Sequence, residues 1–248
     1  IACAPRDAYI QAFNKQITFE KAMASGVPCP VTRHEGEAID AFLDRTPFPI
    51  ILKPRNGVGS IGFHKMDSRE EFKTYIEEKN INIDDYVVQE FIHFIQRRSG
   101  YILMDGKGNA KTGLVAEVKR WFPLDAGTGT CIQTVDDPEL LNNAIKLLQM
   151  MNWKGFANVC FMTDDNDGKV KLLEINGRIP ASVKICFMCG SNVSKQMMEL
   201  AFDQEVTAYP INNKFGLSTR HFQADFMWFL KSPNRFQSKP SWFSWKNT

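Results

Sequence analysis

The sequence predicts an α+β protein of two lobes, each with an antiparallel or mixed sheet and helices, and a cleft between them. Three observations predict it. Two loops rich in Asp, Asn, Gly and Lys, residues 105–109 and 164–168, each separate apolar runs of strand length, as hairpins do. Ser68 and Asp137 stand where helix caps belong, each ahead of a stretch with helical spacing. The signals also fall in two clusters, one before and one after Glu90, and ligand sites commonly lie between such lobes.

From 14 to 25, Ile17, Ala22 and Met23 recur among polar residues, a helix that Gly26 and Pro28 end. Pro47 and Pro49 introduce a short buried strand at 50–53; a glycine-rich turn follows to Gly62, then a second strand to Met66. Ser68-Arg69-Glu70-Glu71 reads as a capping box, serine and acid satisfying reciprocal backbone donors, and its helix runs to about Lys79. Residues 86–89 form a strand leading into Phe91 and Ile92. Strands at 101–104 and 113–119 flank the first loop, and strands at 158–162 and 170–174 flank the second. Between them Pro138 opens a helix over 139–151, where its missing N–H is no loss. Beyond Pro180 the chain is helical with a break at Gly190, and from Lys231 onward it has no clear period.

The chain has 248 residues, 44% hydrophobic and 23% charged, ample for a core in one or two domains. A formal charge of +2 without long runs of one sign leaves no footprint of a nucleic-acid partner or a membrane surface. No apolar run approaches a membrane span. A charged-then-apolar leader is missing, and Ile1 is not a translation start, so removed upstream sequence is expected. Of six cysteines, Cys186 and Cys189 have metal-ligand spacing, but no second pair or histidine pair completes a zinc site. Set among Ile, Phe, Val and Met, they read as buried reduced thiols, which points to a cytoplasmic protein.

Two motifs carry chemistry. In Lys53-Pro54-Arg55-Asn56-Gly57-Val58-Gly59-Ser60-Ile61-Gly62 a lysine ends a buried strand and three glycines follow. Glycines let backbone N–H groups approach phosphate oxygens, and the lysine adds positive charge. The lysine precedes the glycines, so this is no Walker loop; a glycine-rich hairpin that happens to follow a lysine accounts for the same residues. In Leu172-Leu173-Glu174-Ile175-Asn176-Gly177-Arg178, Glu174 and Asn176 share one face of a strand. Both offer hard oxygens suited to Mg²⁺ held together with phosphates, and Arg178 can steady a developing oxyanion. A polar strand end facing solvent is the bland alternative, although Glu174 interrupts an apolar run.

With these motifs in order, the chain resembles the ATP-grasp family, of the kind found in carbamoyl-phosphate synthase and biotin carboxylase, from about Asn14 to Asp203. Asn14-Lys15-Gln16-Ile17-Thr18 with Gly26-Val27-Pro28 resembles the leading segment whose lysine contacts ATP phosphates. Lys53 and the glycines resemble the second phosphate lysine and the lid loop, with Gly57, Gly59, Ser60 and Gly62 as cofactor-binding positions. Val87-Val88-Gln89-Glu90-Phe91-Ile92 resembles the hinge, where Glu90 and the backbone of Phe91 and Ile92 would meet adenine. Glu174-Ile175-Asn176-Gly177-Arg178 resembles the metal-and-arginine motif, and Gly190-Ser191-Asn192-Val193 the turn and helix that usually follow.

The resemblance implies ATP and Mg²⁺ as cofactors and a carboxylate phosphorylated for attack by an amine or another nucleophile. Glu174 and Asn176 would hold metal, with Arg178 in a catalytic role. Apart from the resemblance, Lys119 and Arg120 on the strand after the first hairpin are placed to neutralise transferring phosphate, a catalytic role for Lys119, although lone basic residues at strand ends are usually solvated. Small-molecule substrates are the implied partners, and a homo-oligomer stays open. The implied division is 1–26 as the end of an upstream domain and a connecting helix, 27–89 as the lid lobe, 90–210 as the large lobe and 211–248 as a C-terminal extension. Residues 1–7 resemble the end of the upstream domain's last strand and its loop. Two departures stand out. Cys160 falls where relatives place a second metal-binding acid or glutamine, and soft sulfur suits Mg²⁺ poorly. Arg97 falls where a ribose-binding acid is expected. A nucleotide-binding or assembly domain of the same fold, without its chemistry, is the rival reading.

Overall fold

The computed structural model describes residues 4–57, 61–124, 127–211 and 213–244. Its strands are β1 (Ile50–Pro54), β2 (His64–Met66), β3 (Tyr86–Glu90), β4 (Phe94–Met104), β5 (Ala110–Phe122), β6 (Thr128–Val135), β7 (Gly155–Asp164), β8 (Val170–Asn176) and β9 (Ser218–Arg220). They form a small sheet in the order β2-β1-β3 and a large one in the order β8-β7-β4-β5-β6-β9. Among the described residues every pairing between these strands is antiparallel. Two of the contacts, β4 with β5 and β7 with β8, are the hairpins that the sequence announces.

Local chemistry fixes the helix ends. The Asn14 side chain accepts from Gln16 and Ile17 N–H to start α2 (Lys15–Ser25), and Gly26 closes it in the left-handed region at φ 68°. Ser68 caps α4 (Arg69–Glu78) through Glu71 N–H, but Glu71 returns its carboxylate to Asp67 N–H, so the box closes one residue early. Asp137 caps α5 (Pro138–Met150) through Leu140 N–H at 3.0 Å.

Each face of the large sheet has its own core. Leu140, Leu141, Ala144, Leu147 and Leu148 of α5 bury against Ile102, Met104, Val115, Val159 and Phe161. The other face packs Tyr101, Leu103, Leu114 and Phe156 against α6 (Lys184–Met188) and α7 (Val193–Ala201). Burial of each large side chain contributes ~1.5–3 kcal/mol, which outweighs the marginal stability of such short helices. The small sheet buries Ile50, Leu52 and Val88 against Phe72 of α4 and Phe42 and Leu43 of α3 (Ile39–Arg45).

Several segments depart from expectation. Arg6 and Asp7 lie in the first turn of α1 (Arg6–Phe13) and not in a loop after a strand. Helix α3 and strands β6 and β9 were not anticipated, and the helical stretch expected beyond Pro180 is interrupted by β9 before α8 (Phe222–Lys231). The stretch expected as a C-terminal extension adds β9 to the edge of the large sheet. A buried ion pair, Arg120 Nε to Asp225 Oδ1 at 2.7 Å, ties α8 to β5. Arg120 also donates to the Pro240 carbonyl, and Arg220 donates to the Trp242 carbonyl, so the aperiodic tail is held by backbone oxygens. Cys29, Cys131, Cys160, Cys186 and Cys189 are free thiols. No helix among the described residues is long and apolar enough to cross a membrane.

Candidate functional site

The site is built where three segments meet. Lys53 lies next to the end of β1 with its Nζ 4.6 Å from the centre of the Phe19 ring of α2. Burial, and Lys15 beside it, bring its pKa down to about 7 although Glu174 pulls the other way. Lys15, the first residue of α2, donates to the Gly57 carbonyl at 2.8 Å. Burial lowers its pKa too, with Glu174 opposing. Two half-buried lysines are therefore crowded together and feel one carboxylate. Such a pair lacks negative charge, and a phosphate chain supplies it.

Glu174 and Asn176 share a face of β8, and Asn176 Nδ2 donates to Glu174 Oε1 at 2.9 Å. Cys160 on β7 lies directly across from Glu174. Its sulfur is 3.5 Å from Asn176 Nδ2, 3.4 Å from Asn158 Oδ1 and 3.4 Å from Ser99 Oγ. Burial, reinforced by Glu174, pushes the thiol up to about 12, so it stays protonated and neutral. Among the described residues no three His, Cys, Asp or Glu side chains are grouped to hold a metal by themselves. Glu174 and Asn176 do fit one Mg²⁺ that takes its remaining oxygens from phosphate and water. Gly177 follows because a Cβ there would lie 2.6 Å from Trp153 Cη2 and 3.2 Å from Tyr9 Cδ2. Arg178 is exposed just past the strand.

The remaining expected residues are spread over β5, the end of β3 and the loop after β1. Lys119 pairs with Glu117, which also accepts from Gln96 at 2.5 Å and faces Arg98, itself bound to the α5 cap Asp137. Val115 packs on the α5 face, while Lys119 sits where the β5–β6 register shifts between Val118 and Arg120 and is held by its pair with Glu117. The Glu90 carboxylate accepts from Val31 N–H at 2.9 Å and from Lys171 at 3.0 Å, which ties the hinge to β8. Lys171 is partly buried, which lowers its pKa, yet its bonds to Asp164 and Glu90 win and push it up to about 12. Phe91 N–H is used by the Pro49 carbonyl, and Ile92 is buried. Gly57 has φ 152°, and Gly62 has φ 74° with room for a Cβ only 2.8 Å from Pro54 Cγ. Gly59 and Ser60 lie outside the described residues. Ser99, Asn158 and Phe19 join the site without having been foreseen. Ser99 was out of reach because the polar run 96–99 hides the first half of β4.

Comparison with known proteins adds the family. The family model described as an ATP-grasp domain matches residues 12–182. D-alanine–D-alanine ligase B of Clostridium tetani is 23% identical over 187 residues, covering 72% of this chain and 52% of that protein. The carbamoyl phosphate synthase large chain of Pseudomonas syringae pv. tomato is 27% identical over 179 residues, 66% of this chain and 16% of that one. The chain thus spans about half the length of the ligase and a small part of the synthase. Among solved structures, the biotin carboxylase domain dimer of Hydrogenobacter thermophilus 2-oxoglutarate carboxylase, in complex with MgADP, ADP and bicarbonate, superimposes with a TM-score of 0.71. It is 15% identical, and the match covers 88% of this chain and 51% of that one.

Proposed function

We propose that this chain, which belongs to the ATP-grasp family, binds Mg-ATP between its two sheets and activates a carboxylate for attack by an amine or another nucleophile. The observation that carries the reading is the convergence of Lys15, Lys53 and Glu174 from α2, β1 and β8. Bound Mg-ATP supplies the phosphoryl group that makes the carboxylate an acyl-phosphate, from which the nucleophile later expels phosphate. Lys15 and Lys53 hold the phosphates and neutralise the charge that builds up during transfer. Glu174 and Asn176 hold the metal. Arg178, free in solvent, is long enough to close on the acyl-phosphate. The loop from Gly57 to Gly62 covers the phosphates, and the hinge backbone at Phe91 and Ile92 meets adenine. Residues 27–89 serve as the lid lobe and 90–210 as the large lobe. A ligase and a carbamoyl phosphate synthase among the relatives favour this class of reaction.

Phosphate release from Mg-ATP, measured against pooled carboxylates and amines, tests the reading. Release is expected only with both substrates present and is lost in Lys53→Ala. A second reading, nucleotide binding without turnover, is favoured by the neutral Cys160 thiol beside Glu174. ATP binding with no phosphate release from any pair would select it.

A further inference from the structure

The roles assigned above leave Arg97 unused, although it shares the site's face. Ser99 touches the Cys160 sulfur, and Arg97 lies two residues before it on β4, on the same side of the strand. The guanidinium carbon is 4.8 Å from the centre of the Trp121 ring and 5.6 Å from that of Phe94, a stack that sets its plane. Among the described residues its one hydrogen bond runs from Nη1 to the Gly127 carbonyl at 3.0 Å. Nε and Nη2 are shielded from water and have no partner. A guanidinium does not shed its charge, so these unpaired donors are a standing cost that the protein alone does not relieve.

Position says what would relieve it. Arg97 pairs with Met162, two residues from the row Ser99–Cys160–Glu174, on the side where β4 follows the expected hinge at 87–92. Two strand residues span about 7 Å. A ligand laid from the hinge to Glu174 passes Arg97 on the way. The row itself carries no cation: it presents a hydroxyl, a thiol, a carboxylate and the amide of Asn176. We propose that Arg97 binds a phosphate oxygen of the nucleotide, as a fixed positive charge between the hinge and Glu174. The inference rests on the nucleotide reading above. Turning the guanidinium into the cleft gives up the Gly127 bond and brings the two unpaired donors onto an oxyanion whose geometry matches their fork.

The test is the affinity of the whole chain for adenosine, AMP, ADP and ATP, with Arg97→Gln and Arg97→Lys beside the unaltered protein. Arg97→Gln is expected to weaken AMP, ADP and ATP by about 10- to 100-fold, the range of lost charge-assisted hydrogen bonds. Adenosine binding should stay within about twofold, and Arg97→Lys should recover part of the loss. If the glutamine variant does not fold, the lysine variant decides alone, with several-fold weaker AMP and unchanged adenosine. Equal losses for adenosine and its phosphates would make Arg97 a prop of the pocket and overturn the proposal. Unchanged nucleotide affinities, including the case where only a carboxylate substrate binds less well, would overturn it while leaving the nucleotide reading intact. An unaltered chain that binds none of the four would sink both.

Discussion

Raising the pH above neutral should weaken nucleotide binding through Lys53. Its pKa falls from the ordinary 10.5 to about 7, chiefly because burial disfavours the ammonium and Lys15 repels it. A bound phosphate favours the ammonium, so binding takes up a proton whenever Lys53 is neutral in the free protein. Well above pH 7 each further unit lowers the protonated fraction about tenfold, and ADP affinity should fall about eightfold between about pH 7.5 and 8.5. Calorimetry in buffers of different ionisation heat, without metal, reads both the affinity and the proton uptake. Lys53→Arg, which stays charged throughout, should flatten the profile. Stability should move the other way. The unfolded chain keeps this proton to about pH 10.5 and the folded chain releases it near 7. Between those values the unfolded state binds more protons, so folding stability rises with pH. A flat affinity profile with no proton uptake in the unaltered protein would refute the reasoning.

Cys160→Glu should lower the Mg²⁺ concentration needed for ATP binding, because it gives the metal a second carboxylate beside Glu174, while Cys160→Ala should change it little. A destabilised glutamate variant with no gain in metal affinity would defeat that placement. Asp225→Ala leaves the buried Arg120 guanidinium without its two carboxylate bonds and should cost about 3–5 kcal/mol in denaturant unfolding. A loss below about 1 kcal/mol would mean that the tail carbonyls suffice. Gly177→Ala drives a Cβ to 2.6 Å from Trp153 and should cost about 1–3 kcal/mol by forcing that ring or α1 to shift. An unchanged melting temperature would contradict the contact.

What was legible in the sequence was mostly local. A lysine closing a buried strand before glycines, and a carboxylate and an amide two residues apart on another strand, mark their own sites because their chemistry and spacing are set within a few residues. Caps at Asn14, Ser68 and Asp137 were readable for the same reason. The first half of strand β4 was not, because both of its faces are polar over residues 96–99. Arg98 reaches Glu117 and Asp137 on one side, while Ser99 meets Cys160 on the other, so no apolar alternation remained to be seen. The setting of Lys119 was not legible, because the register shift between Val118 and Arg120 depends on the pairing of β5 with β6. Strand β9 exists by pairing with β6 and is too short to announce itself.

The central claim is that one Mg-nucleotide bridges α2, β1 and β8. Hydrogen exchange of the chain with and without Mg-ATP tests it most directly, since residues 15–17, 50–57 and 172–176 are far apart in sequence. The account predicts slower exchange in all three segments together, and loss of the effect in all three on Lys53→Ala. Protection confined to one segment, or unchanged exchange at millimolar nucleotide, would contradict it.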